Sequence, residues 1–215
     1  METLVKSADA HIKASDTGGF SAYASRFLNI DRQGDLILPG AYAKALPEFL
    51  DDGGLILADH INSTKAVAAT MRDAHEDKNG LLVDGQFSAT ETGQRIRQQL
   101  KEKSLRKMSI SFLASSKKAK EADIHAIWQK YNYSPTQAQM KLAKGGANII
   151  SDVHEILEVS FVAIPANRGA EVISVKSIDM EVETETPTAV VDAGSLLQLL
   201  QRADLADSIV TASTR

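Results

Sequence analysis

The stretch KMSISFL, residues 107–113, alternates apolar and hydroxyl side chains, which is the pattern of a β-strand with one face in a core. Successive side chains of a strand point to opposite faces. The apolar side chains predicted for the core are Met108, Ile110 and Phe112. Ser109 and Ser111 then share the other face, which we expect to lie against polar groups.

A second stretch, EILEVSFV at residues 155–162, predicts a neighbouring strand. Alternation assigns four residues to its core face: Glu155, Leu157, Val159 and Phe161. Glu158 and Ser160 fall on the opposite face, with His154 further back on the same side. If the two strands pair, Ser109 and Glu158 can share one face of the sheet.

A third apolar stretch, LILADH at residues 55–60, predicts a buried strand that ends at His60. A histidine, a serine and a carboxylate are the parts of an acyl-transfer site, in which an imidazole deprotonates a hydroxyl and a third group orients the imidazole. For each residue taken alone, and for the three together when nothing else is known, a structural role is the more frequent one. Periodicity favours Glu158 or His154 over Glu155 as the partner of His60.

Metal binding is a competing interpretation of the same region. Asp59, His60 and His75 could act as ligands, but the HxH and HExxH spacings typical of metal sites are absent. We therefore favour acyl transfer over a metal-dependent hydrolase, and we expect neither a metal nor an organic cofactor.

Composition limits the class of protein. The chain has 215 residues, of which 43% are apolar and 5% aromatic, so we expect one domain of ordinary size with an aliphatic core, plus an appendage. The net charge of −4 gives no reason to expect a nucleic-acid partner. There is no cysteine, which excludes disulfides and a thiolate nucleophile.

Membrane association is not expected either. No apolar run approaches the roughly 18 residues that a membrane span needs. The first residues, METLVKSADAHIKASD, also lack the apolar core of a signal peptide. We expect a soluble protein.

Turn and cap residues divide the chain into further elements. The predicted elements are a turn at 31–35, a strand at 36–38, a helix from 39–40 to about 49, a hairpin of 67–74 with 80–88, a helix from Thr90 or Thr92 to about 105, and a last strand at 172–175.

The predicted organisation is a main domain at residues 1–178, within which 114–152 is a helical insertion between two paired strands. An acidic linker follows at 179–194. Residues 195–215 form a tail whose apolar stripe predicts an amphipathic helix.

Five stretches resemble, in order, the motifs of tailed-phage prohead proteases. They are DRQGDLILPGAYAKAL at 31–46, LILADH at 55–60, GLLVDGQF at 80–87, MSISF at 108–112 and LEVSFVAIPANRGAEV at 157–172. One such motif is weak evidence, but five in the same order, between about residues 20 and 176, are specific.

This resemblance implies an α+β fold of the herpesvirus-assemblin type, a mainly antiparallel β-barrel flanked by helices. It also implies a serine endopeptidase that cleaves the scaffold and major capsid protein, and itself, inside an assembling procapsid in the cytoplasm of a bacterial host. Related viral proteases are activated by dimerisation, so a homodimer is an option, although no stretch identifies an interface.

Carried over by position, His60 matches the general base of the family and Ser109 its nucleophile. Glu158 takes the place of the orienting group. His154 stays an alternative because the related viral enzymes use a second histidine there. Ser111 stands where a glycine is common, so which of the two serines attacks stays open.

The resemblance also suggests where the oxyanion donors lie. The loop 166–169 after the Glu158 strand is the best candidate, with Asn167 and Arg168 nearest the site. A non-catalytic assembly protein on the same fold, which binds scaffold or capsid protein, is the main alternative function.

Overall fold

The computed structural model of the chain describes residues 3–8, 13–14 and 18–164. The predicted strand at 172–175, the oxyanion loop with Asn167 and Arg168, the acidic linker and the tail lie outside the described residues.

Within the described residues nine strands form one sheet. They are β1 (Thr3–Ala8), β2 (Lys13–Ala14), β3 (Gly19–Arg26), β4 (Asp35–Ile37), β5 (Leu55–Ala58), β6 (Val67–Glu76), β7 (Gly80–Phe87), β8 (Lys107–Ala119) and β9 (Ala147–Val162).

The strand order is β1-β8-β9-β5-β6-β7-β3-β2, and β4 also pairs with β9. All pairs are antiparallel except β4 with β9 and β5 with β9, which are parallel. The sheet curls, so that β3 approaches β1 and β8. The predicted α+β class with a mainly antiparallel, barrel-like sheet is confirmed.

Four α-helices accompany the sheet in the described part of the chain. They are α1 (Leu46–Asp51), α2 (Glu91–Lys101), α3 (Glu121–Lys130) and α4 (Gln137–Ala143). Thr90 caps α2, since its hydroxyl oxygen accepts a hydrogen bond from the Gly93 N–H. The predicted hairpin is also present as β6 and β7.

The helix predicted to begin at Pro39–Gly40 begins only at Leu46, and residues 39–45 form turns. The side chain of Glu76 accepts hydrogen bonds from the N–H groups of Gly40 and Tyr42, at 2.6 and 2.7 Å. Gly40 also adopts a φ of +90°, which no α-helix allows. The Glu76 carboxylate and the left-handed Gly40 therefore hold residues 39–45 in turns, so that the helix begins later in the chain than predicted.

The strands β8 and β9 pair over almost their whole length, from Lys107 opposite Val162 to Ala119 opposite Ala147. Both strands thus continue into the region 114–152, and α3 and α4 form the connection between them along the chain. Trp128 of α3 is buried and donates a hydrogen bond from Nε1 to the carbonyl oxygen of Leu28 at 2.7 Å. The interpretation of 114–152 as an insertion stays a prediction.

Burial along β8 follows the predicted alternation. The side chains of Met108, Ile110 and Phe112 are fully buried in the core. Ser109 and Ser111 are buried as well, on the opposite face and against polar groups. The prediction for this strand is confirmed.

Burial along β9 corrects the prediction at two positions. Val159 and Phe161 lie in the core as expected, but Leu157 is 39% exposed and Glu155 is exposed too. The register explains the difference, because Ser111 pairs with Glu158 whereas the next residue, Phe112, pairs with Ile156. Leu157 is thus the extra residue of a β-bulge, which shifts the alternation of the residues that precede it in the chain.

Candidate active site

His60 is positioned by a tight turn at the end of β5. The strand ends at Ala58, and both Asp59 and His60 adopt left-handed backbone angles, with φ of 56° and 58°. Asp and His are enriched among the non-glycine residues that tolerate this conformation. The Asp59 N–H donates to the carbonyl oxygen of Phe161 at 2.9 Å, which ties the turn to β9.

The turn carries the imidazole of His60 to the serine face of β8 and β9. Its Nε2 lies 2.7 Å from Oγ of Ser109, and its Nδ1 lies 2.5 Å from Oε1 of Glu158. Ser109 and Glu158 lie on paired strands, where Ser109 faces Ser160 and Ser111 faces Glu158. The structure therefore brings together the three residues that the sequence analysis singled out.

Hydrogen bonding determines the charge of Glu158. Burial acts to raise the pKa of its carboxyl group, but hydrogen bonds from His60, Ser111 and Ser160, with the charge of His60, hold that pKa below its usual value. Glu158 is consequently ionised at neutral pH.

The ionised carboxylate in turn assigns the tautomer of His60. A carboxylate can only accept hydrogen bonds, so the proton of the neutral imidazole belongs on Nδ1, facing Glu158. Nε2 then presents its lone pair to the hydroxyl of Ser109. This is the state in which an imidazole can take a proton from a serine.

Ser111 occupies a different position around the ring from Ser109. Its hydroxyl donates to Oε1 of Glu158 at 2.5 Å and lies 3.3 Å from Nδ1 of His60. Ser109, by contrast, lies at Nε2. Of the two serines left open by the sequence, Ser109 is thus the one that contacts the basic nitrogen.

Ser160 joins the same network, although it is not among the site residues predicted from the sequence. Its hydroxyl donates to Oε2 of Glu158 at 2.5 Å and accepts the backbone N–H of His60 at 3.1 Å. The available signal was its position two residues after Glu158, which places both side chains on one strand face.

His154 is not brought to this cluster. Its Nε2 lies 2.8 Å from Oγ of Ser115, and its Nδ1 lies 3.7 Å from a carboxylate oxygen of Asp152. Its polar contacts are thus with residues other than His60, Ser109 and Glu158.

The alternative metal ligands do not converge either. Among the described residues no group of three or more His, Cys, Asp or Glu side chains could hold a metal ion. His75 instead lies beside Asp73, at 3.6 Å. Separately, no helix in the described part of the chain is long and apolar enough to cross a membrane.

An imidazole held between a serine hydroxyl and a carboxylate is the arrangement found in hydrolases with an activated serine nucleophile. The chain belongs to the caudovirus prohead serine protease family, whose model matches residues 5–184. The resemblance drawn from the five motifs is thereby confirmed.

Two individual proteins illustrate the relationship. The chain is 26% identical over 163 residues to the prohead protease of Enterobacteria phage HK97, a match that covers 75% of this chain and 62% of that relative. Its fold is similar to the structure of the bacteriophage T4 capsid assembly protease, with a TM-score of 0.54 and 11% identity, covering 76% of this chain and 98% of that one. At 11% identity, the match to the T4 protease shows similarity of fold alone.

Proposed function

We propose that this protein is a serine endopeptidase that acts in capsid maturation, with Ser109 as nucleophile, His60 as general base and Glu158 as the orienting carboxylate. One observation carries the proposal. The two nitrogens of a single imidazole lie 2.7 Å from the Ser109 hydroxyl oxygen and 2.5 Å from a Glu158 carboxylate oxygen. Membership of the prohead protease family supports it independently.

In the proposed mechanism Oγ of Ser109 attacks the carbonyl carbon of the scissile peptide bond while Nε2 of His60 takes the hydroxyl proton. The tetrahedral intermediate collapses when His60 returns that proton to the leaving amine, and an acyl-enzyme remains. A water molecule, deprotonated by His60, then attacks the ester, and His60 returns that proton to Oγ of Ser109 as the second product leaves. These steps need no metal or organic cofactor.

Glu158 has two tasks in this mechanism. Its carboxylate keeps the imidazole proton on Nδ1, and it stabilises the imidazolium that forms when His60 accepts the serine proton. The lowered pKa of Glu158 supports both tasks, because the carboxylate stays charged at neutral pH. We do not propose His154 for this role, since its contacts are with Ser115 and Asp152.

The oxyanion donors remain a prediction from the sequence. Backbone N–H groups of the loop 166–169, at Asn167 and Arg168, follow β9 and would stabilise the negative oxygen of the intermediate. Loss of one such donor typically lowers the rate by about 10²- to 10³-fold.

The proposed substrates are the scaffold and major capsid protein of the procapsid, together with the chain itself. They are suggested by the family and by the relative from phage HK97, which is a prohead protease. The place of action would be the assembling procapsid in the cytoplasm of a bacterial host, and a homodimer is the form to test first. Nucleic acid and membrane are not proposed as partners.

Co-expression with the major capsid protein from the same genome tests this function. The wild-type chain should shorten that protein, and Ser109→Ala should leave it intact. A capsid protein that assembles but stays full-length with both would favour the non-catalytic assembly role instead. Mass spectrometry of the incubated wild-type chain would show in the same experiment whether the region 179–215 is removed.

A further inference from the structure

The hydroxyl of Ser160 connects the backbone of His60 to the carboxylate of Glu158. A serine hydroxyl has one proton to donate and two lone pairs that accept. Here the proton goes to Oε2 of Glu158 at 2.5 Å, while a lone pair accepts the His60 N–H at 3.1 Å. One side chain therefore fixes a backbone atom of the base and the second oxygen of its orienting group.

The bond to the His60 N–H matters because of the local backbone. Asp59 and His60 are two consecutive residues in the left-handed region, with φ of 56° and 58°. Such a conformation persists only where surrounding contacts hold it. The hydrogen bond from His60 to Ser160 is one of those contacts, and it acts on the residue whose side chain must reach Ser109.

The hydrogen bond from Ser160 gives the second carboxylate oxygen of Glu158 a donor. Its Oε1 already accepts from Nδ1 of His60 and from the hydroxyl of Ser111, at 2.5 Å each. Ser160 is the partner of the other oxygen, so the plane of the carboxylate is fixed at both ends. Hydrogen bonds of this kind to a charged group are about twice as strong as those between neutral groups.

Burial restricts what Ser160 can do. Its relative exposure is 0%, and it lies opposite Ser109 in the pairing of β8 with β9. A side chain with no accessible surface cannot touch a substrate, so any influence on the reaction must pass through His60 and Glu158.

We propose that Ser160 is a positioning residue that holds His60 and Glu158 as one rigid unit facing Ser109. The inference rests on the proposed function, because it assigns Ser160 a part in activating Ser109. It extends the three-residue site to a fourth member that is never in contact with the substrate.

The test compares Ser160→Ala with Ser25→Ala in the full-length protein. Ser25 is a matched control, since its hydroxyl is also buried (2% exposed) and accepts a hydrogen bond from Tyr42 at 2.8 Å, within the core. The probe is a fluorophosphonate, with which Oγ of Ser109 forms a bond to phosphorus as fluoride leaves and His60 takes the proton. Labelling rates at increasing probe concentration separate the maximal rate from the apparent affinity.

For Ser160→Ala we expect the maximal labelling rate to fall about 100-fold with unchanged affinity for the probe, as for a small misplacement of reacting groups. Ser25→Ala should lower thermal stability comparably and keep the wild-type rate. In proton NMR spectra of the two variants, the low-field signal of the His60 Nδ1 proton should disappear by exchange in Ser160→Ala alone.

Equal labelling rates for the two variants, or a retained Nδ1 signal in Ser160→Ala, would overturn the positioning role. Failure of the proposed function looks different, because the wild type would then not label, or Ser109→Ala would label as fast as the wild type. The two failures are therefore distinguishable.

Discussion

Oγ of Ser111 lies 2.5 Å from Oε1 of Glu158 and donates its proton to that carboxylate. A hydroxyl engaged in this way is not in contact with the basic nitrogen of His60, which faces Ser109 at 2.7 Å. The two serines of β8 thus have separate places in the network, although they share one strand face.

The first prediction concerns these two serines. Ser109→Ala should lower proteolysis of the capsid protein by about 10⁶-fold, the usual loss for a serine nucleophile. Ser111→Ala removes one hydrogen bond to the charged Glu158, worth about 1.5–3 kcal/mol, so the rate should fall by about 10- to 100-fold and measurable activity should remain. Gel assays of capsid-protein cleavage, with co-expressed or mixed proteins, measure the rate for each variant. A larger loss for Ser111→Ala than for Ser109→Ala would assign the nucleophile to Ser111.

The second prediction concerns the carboxylate. Glu158→Gln should lower turnover by about 10⁴-fold, since an amide can hold the imidazole in the wrong tautomer. Glu155→Gln, on the same strand but exposed, is the matched control and should have wild-type turnover. Comparable losses in the two variants would remove Glu158 from its proposed role.

The third prediction concerns stability at acid pH. The pKa of Glu158 is lower in the folded protein than its ordinary value of 4.5. Its stabilising effect is therefore complete above pH 4.5 and is lost as the pH falls through the folded-state pKa. Urea unfolding between pH 7 and pH 3 should show a steeper loss of unfolding free energy below about pH 4.5 for wild type than for Glu158→Gln. Parallel curves would contradict the lowered pKa.

The fourth prediction tests the β-bulge. Ile156 is 5% exposed and Leu157 is 39% exposed, the reverse of what strict alternation predicts. Ile156→Ala should therefore cost about 2–5 kcal/mol of unfolding free energy, as a buried isoleucine does. Leu157→Ala should cost about 1 kcal/mol or less. Chemical denaturation measures the unfolding free energy of both variants. A larger loss for Leu157→Ala than for Ile156→Ala would mean that the strand has no bulge at this position.

The sequence predicted the serine strand better than its neighbour for a physical reason. Alternation holds on β8 as far as Phe112, so it places Ser109 and Ser111 on the correct face. On β9 the bulge at Leu157 inserts one residue, and no local pattern in the sequence marks that position. Alternation still places Glu158 on the correct face, because the pairing is regular from Val162 back to Glu158 and shifts only beyond it.

Two other features depend on contacts between remote residues. The start of α1 is set by Glu76, whose carboxylate binds the N–H groups of Gly40 and Tyr42. The position of His60 is set by a left-handed turn, whose N–H groups bond to Phe161 and Ser160 of β9. Periodicity reports how a segment faces a core, but it carries no information about such partners.

If His60 activates Ser109, a fluorophosphonate should modify Ser109 in the intact protein, and the site of that modification is the most direct measurement. Peptide mapping by mass spectrometry should find one adduct, on Ser109, in the wild type and in His154→Ala. The adduct should be absent from His60→Ala. An adduct on Ser111, or labelling of Ser109 that persists without His60, would contradict the account.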